Sequence, residues 1–167
     1  MRRYTVLGSN MTLGTGVVLL AFRTAADAVT AGGLIQINRI EIGQNGTETS
    51  DMIRGELVTR DTAGTLTMTS VTPQAIAPLG GPISALVGNT APAGAAVRIG
   101  INSSADSGGT YTVRRAFDFN NLNGYLWIGT PEDRLWVPPA TVFGVRFAAS
   151  PTSATGWTIS LDYEELV

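Results

Sequence analysis

From Trp157 to Glu164 apolar and polar residues alternate without a break. Trp157, Ile159, Leu161 and Tyr163 fall on one parity, and Thr158, Ser160, Asp162 and Glu164 on the other. Successive side chains of a strand point to opposite faces, so this period reads as a strand with one face in a core and one in water. Val17–Arg23 is a β-branched, apolar run of the kind that forms a buried strand. Leu34–Gly43 follows, with Ile35 and Ile37 on one parity and Ile40 and Ile42 on the other. That switch predicts a β-bulge near Asn38-Arg39, the alternative being a strand buried on both faces.

Met52–Arg60 and Thr65–Val71 read as a hairpin turned at Asp61–Gly64. Ala95–Ile101 is a strand, Asn102–Gly109 a polar loop, and Thr110–Phe119 a returning strand with Tyr111 and Val113 inward and Arg114-Arg115 at a bulge. Between Asn120 and Phe147 lie two tight polar turns, three short apolar runs and two of the three tryptophans. This stretch reads as strand, turn, strand, turn, strand in the middle of an antiparallel sheet. The expected fold is therefore all-β: an antiparallel two-sheet sandwich, jelly-roll-like, of about nine or ten short strands. A chain of 167 residues fits one domain, since domains run to roughly 100–200 residues.

Two segments depart from the pattern. Residues 1–13 form either a first strand around Tyr4–Gly8 or an extended arm. Residues 72–94 carry Pro73, Pro78, Pro82 and Pro92, which exclude a central strand because proline cannot donate to a ladder. Ile76, Leu79, Ile83 and Leu86 make this long loop unusually apolar. It reads first as a loop across one end of the sandwich, and second as a subunit contact. Thr24–Gly33 leaves room for one helical turn at Ala25–Val29, ended by Gly32-Gly33.

Composition excludes much chemistry. The chain has no Cys, His or Lys, and all 11 basic residues are Arg. A Ser-His-Asp triad, an imidazole or thiolate zinc site and a Schiff-base lysine are all ruled out. No cofactor is expected, and an enzyme is the last reading. The net charge is −2, and the only basic pairs are Arg2-Arg3 and Arg114-Arg115. No direct nucleic-acid partner is expected, because a packaging arm carries a longer basic run. No run approaches the length of a membrane span, so no membrane partner is expected and synthesis in the cytoplasm is.

Asp118–Gly124 resembles part of a calcium loop, but the twelfth position is Gly129 where a glutamate is needed, so the asparagines read as turn formers. Glu132 and Asp133 are neighbours in a turn, unlike the spaced carboxylates of a glycosidase. Asn10, Asn45 and Asn102 match the glycosylation pattern and also read as turns. Tyr125 and Trp127 share one parity, Leu126 and Ile128 the other. If Leu126 and Ile128 face the core, then Tyr125, Trp127 and Trp136 form an exposed platform for a glycan; otherwise the aromatics are core.

The run Y-L-W-I-G-T-P-E-D-R-L-W-V-P-P, followed by G-V-R-F and W-T-I-S-L-D-Y-E-E-L, resembles small accessory capsid proteins of tailed bacteriophages. These are decoration or cement proteins, some with jelly-roll folds. The resemblance implies a virion protein on the outer capsid surface, a homotrimer that clamps major capsid subunits. It also implies an N-terminal arm that makes such contacts, here Met1–Leu13. Arg2, Arg3, Tyr4, Ile76, Leu79, Ile83, Leu86, Tyr125, Trp127 and Trp136 are the candidate partner-binding residues. The alternatives are a carbohydrate- or receptor-binding module of a phage fibre, and a single-jelly-roll main capsid protein.

Overall fold

A computed structural model describes residues 2–13, 17–26, 30, 32–46, 49–61, 65–77, 84–86, 98–107 and 109–166. It contains β1 (Arg2–Met11), β2 (Val18–Arg23), β3 (Ile35–Gln44), β4 (Met52–Arg60), β5 (Thr65–Ser70) and β6 (Gln74–Ala77). The second half holds β7 (Arg98–Ser107), β8 (Tyr111–Asn120), β9 (Tyr125–Ile128), β10 (Leu135–Val137), β11 (Val142–Phe147) and β12 (Trp157–Glu165). Among the described residues there is no helix; most of the Ala25–Val29 turn lies outside them.

The strands form two antiparallel sheets packed as a sandwich. The first runs β10-β3-β12-β1-β6, with β9 also paired to β3; the second runs β5-β7-β2-β11-β4-β8. The alternation read in β12 is observed: Trp157, Ile159, Leu161 and Tyr163 are fully buried. It breaks at the C-terminal end, where Glu164 and Glu165 are both buried. β12 lies between β3 and β1, so the first sheet is built around it. Phe22, Leu57, Phe143 and Phe147 of the second sheet share one core with it.

Both expected bulges are present. Asp162 faces Arg39 and Tyr163 faces Ile37, leaving Asn38 as the extra residue that switches the parity of β3. Leu57 faces Arg115 and Val58 faces Val113, leaving Arg114 extra in β8. Asn10 and Asn102 have φ of 49° and 51°, and Gly46 has 86°. The asparagine motifs thus mark backbone bends that few other residues adopt.

Several expectations are corrected. β4 and β5 do not form a hairpin: β4 pairs with β11 and β8, and β5 with β7. β4 is buried on both faces around Glu56–Val58, which suits a strand with neighbours on both sides. The second sheet instead rolls so that the ends of β4, β7 and β8 meet. There the buried Arg60 guanidinium lies 3.0 Å from Asp106, and the Asp61 amide donates to the Thr110 carbonyl at 3.1 Å. The roll also creates a small second core of Val18, Ala21, Leu66 and Met68. Tyr111 packs against that core half-buried, and Val113 is exposed, so neither points into the main core.

Most of Asn102–Gly109 is strand, the last part of β7. Its polar composition hid it because two register shifts interrupt its ladder with β5. Residues 1–13 are not an arm, since β1 is an interior strand whose Tyr4 and Val6 fill the core. β9 and β10 do not lie in the middle of a sheet. Both pair with β3, end to end along one edge, and β11 belongs to the other sheet. Within the Pro-rich segment, β6 is an edge strand between Pro73 and Pro78, a position that proline permits.

Candidate partner-binding surface

The exposed edge of the first sheet is one strand line broken in the middle. Tyr125–Ile128 faces Arg39–Ile42, and Leu135–Val137 faces Ile35–Ile37. The chain leaves the sheet at the Asn38 bulge, where the Gly129 amide donates to the Asn38 carbonyl at 2.8 Å. It then makes a tight turn closed by the Asp133 amide on the Thr130 carbonyl at 3.0 Å. Glu132 and Asp133 stand exposed on this turn.

The faces of β9 are the reverse of the platform reading. Trp127 is buried, Tyr125 half-buried, and Leu126 and Ile128 are 54% and 63% exposed. Tyr125 stacks on Phe117 with ring centroids 3.7 Å apart, and the Arg115 guanidinium lies 5.7 Å from the Trp127 ring. These contacts close one part of the flank between the sheets. Burial raises the Tyr125 pKa, against the pull of Arg115. Tyr125 and Trp127 are therefore not a stacking platform. Of the two readings of β9, the one that puts the aromatics in the core is observed; alternation alone could not choose between them, because both parities of β9 are apolar.

Trp136 is the exposed tryptophan, at 55%. Beside it the flank opens into a groove of ≈ 360 Å³ lined by Thr59, Arg114, Leu135, Trp136, Pro138 and Phe143 among others. The Arg114 Nε donates to Thr59 Oγ1 at 2.9 Å, tying the side chain to β4. The groove thus offers an indole face, apolar walls and one cation. Leu126, Ile128 and Trp136 share the outer parity of this edge and are all exposed, beside a face that carries the Arg39–Glu41 and Arg39–Asp162 ion pairs.

At the opposite edge, Ile76 is 40% exposed on β6. Arg2 is exposed, and Arg3 is half-exposed and paired with the buried Glu164. Tyr4 is not available to a partner. It is 1% exposed and stacked on Tyr163, and burial followed by the nearby Glu165 raises its pKa. Leu86 is also unavailable, buried in the main core. Leu79 and Ile83 lie outside the described residues.

The other sequence candidates have structural duties. The Asn120 carbonyl accepts from the Asn123 and Gly124 amides, both at 3.1 Å. Asn121 is buried, accepting from the Asp51 amide at 2.8 Å and donating to Gln44 at 2.7 Å. Asp106 is held by Arg60 and by the Tyr111 hydroxyl at 2.5 Å. Burial, and then Asp106, push the Tyr111 pKa up. Among the described residues no three or more Asp or Glu are gathered as metal ligands, and no helix is long and apolar enough to cross a membrane. No family model, curated protein or solved structure matches the chain.

Proposed function

We propose that the chain is a structural virion protein that sits on the outer capsid surface. There it binds and stabilises major capsid subunits as a homo-oligomer, with a trimer favoured. In this reading it is made in the host cytoplasm and reaches the virion by assembly. The observation that carries the reading is the β9–β10 edge of the first sheet, where Leu126, Ile128 and Trp136 stand more than half exposed. Exposed apolar patches of this kind mark protein contacts. Copies that are joined to one another bind a repeating shell with an avidity no single contact has. The test is the heat and osmotic resistance of capsids with and without the protein. Resistance should rise on addition, and unchanged resistance would count against the reading.

The groove at Trp136 favours a second reading, a glycan- or receptor-binding module. An indole beside Arg114 suits a sugar ring with polar substituents. A glycan that quenches or shifts Trp136 fluorescence, with the response lost in Trp136→Ala, would support it.

A further inference from the structure

The groove beside Trp136 lies at the mouth of the sandwich. β10 is an edge strand of the first sheet and β8 an edge strand of the second, and the groove is lined from both sheets. Val137 and Phe143 belong to the main core, so the groove bottoms on apolar surface, and Leu135, Trp136 and Pro138 add to it. The Pro138 side is fixed in advance. The buried Thr24 hydroxyl donates to the Pro138 carbonyl at 2.7 Å and accepts from the Thr141 amide at 2.9 Å, while the Ala140 amide donates to the Ala25 carbonyl at 2.7 Å. A site already held in shape by the fold loses little freedom on binding. Its volume of ≈ 360 Å³ is near the low end of ligand pockets, roughly 300–1,000 Å³, and suits a molecule of one ring.

The charge in the groove is that of Arg114. Among the described residues no carboxylate pairs with it: the ion pairs there go to Arg3, Arg39, Arg54, Arg60 and Arg146. Its Nε is taken up by Thr59, and its two terminal nitrogens have no partner among the described residues. Two such nitrogens form the fork that takes a carboxylate through parallel hydrogen bonds. The groove has few other polar groups to offer. The Thr141 hydroxyl donates to the Pro139 carbonyl at 3.1 Å, and Thr59 Oγ1 already accepts from Arg114. The several hydroxyls of a sugar would lack partners here, and burying them unpaired is costly. An aromatic ring has none to satisfy and packs on an indole. We propose that the groove binds a small aromatic carboxylate, its ring against Trp136 and the apolar walls and its carboxylate on the Arg114 fork. This goes beyond the proposed function and does not rest on the capsid role. It shares the groove with the glycan reading and differs in the chemistry of the ligand.

The test is fluorine NMR of para-fluorobenzoate with the full chain, beside the neutral para-fluorobenzamide and with glucuronate as an acidic sugar. The benzoate should bind with a Kd of about 1 mM or tighter. The amide should bind about ten-fold more weakly, since it cannot make the charge-assisted pair. Arg114→Gln and Trp136→Ala should each weaken benzoate binding about ten-fold as well. Both residues are exposed, so an unchanged urea midpoint is expected and separates lost binding from lost folding. Arg54→Gln removes an exposed guanidinium that does not line the groove and should leave binding unchanged. No benzoate binding at about 10 mM, equal binding of the amide, or binding that survives Arg114→Gln would overturn the proposal. Glucuronate binding where the benzoate does not would overturn it too, in favour of the glycan reading. Benzoate binding by a protein that ignores capsids leaves this site standing and defeats the capsid role, and capsid binding without benzoate binding does the reverse.

Discussion

The Ser84 hydroxyl donates to the Glu165 carboxylate at 2.5 Å in a place closed to solvent, joining the Pro-rich segment to the end of β12. The Ala85 amide donates to the same carboxylate oxygen at 2.9 Å. Ser84 has given its one proton, so the Tyr163 hydroxyl, 2.6 Å away, donates its own to Ser84. The Leu86 amide donates to Ser84 as well, at 3.1 Å, and the Leu86 side chain sits in the core. A tyrosine, a serine, a glutamate and two amides thus fix residues 84–86.

Removing one member leaves buried partners unpaired. Ser84→Ala is expected to cost about 1–3 kcal/mol, the penalty of an unsatisfied buried polar group. Glu165→Ala should cost more, because it strips both Ser84 and the Ala85 amide of their acceptor. Urea unfolding of the two variants checks the order; equal stability to wild type would show that the link carries no load.

A second stability test lies where the rolled sheet closes. A Cβ on Gly109 would come within 2.1 Å of the Arg60 guanidinium carbon, so Gly109→Ala must push that buried group aside. Asp106→Asn removes the partner charge instead. It should cost about 2 kcal/mol, less than the roughly 3–5 of a fully buried pair, because Asp106 keeps 20% of its side-chain surface. Thermal unfolding of both variants reads the effect.

The chain's four tyrosines, Tyr4, Tyr111, Tyr125 and Tyr163, all have pKa values above the ordinary 10.0, with burial the first cause in each. When the folded pKa is raised, the folded state keeps a proton that the unfolded state has lost. Stability is therefore full below the unfolded value, about pH 10, and falls as pH rises above it. Tyrosinate absorbance should stay low in the native state and rise together with loss of the β circular-dichroism signal. Ionisation of most tyrosines before unfolding would contradict this. On the acid side, the Thr152 backbone amide holds Asp51 below the usual carboxylate range. Its contribution is present above the unfolded carboxylate pKa and is lost as pH falls through the lower folded value. Asp51→Asn should flatten that acid limb.

The tryptophans separate by exposure: Trp157 at 0%, Trp127 at 7% and Trp136 at 55%. Iodide should quench one emission component, and Trp136→Phe should abolish that component while changing stability by less than about 0.5 kcal/mol, as at most surface sites. Quenching that survives the substitution would mean that Trp127 opens to solvent.

The sequence carried the local rules well. The alternation of β12 showed its buried face, the parity switch in β3 located the Asn38 bulge, and Arg114 fell at the second bulge. Strand partners were not legible, because pairing depends on residues distant in the chain. Asp61–Gly64 looks like a hairpin turn in either case, and only the rolled sheet sends β5 to β7. At the candidate surface, Trp136 was found by its chemistry. The outward turn of Leu126 and Ile128 was left open, because both parities of β9 are apolar and only the packing of Tyr125 on Phe117 decides which one is core. Glu164 fell on the solvated parity of β12, yet it is buried and paired with Arg3, while the buried Glu165 beside it accepts from the returning Ser84.

The most direct measurement is the native mass of the purified protein by light scattering, alone and after mixing with capsids that lack it. A stable closed oligomer, a trimer foremost, that co-sediments with capsids at a fixed ratio is the expected result. A monomer that stays in the supernatant would contradict the capsid role, and Trp136 with its groove would become the site to probe with glycans.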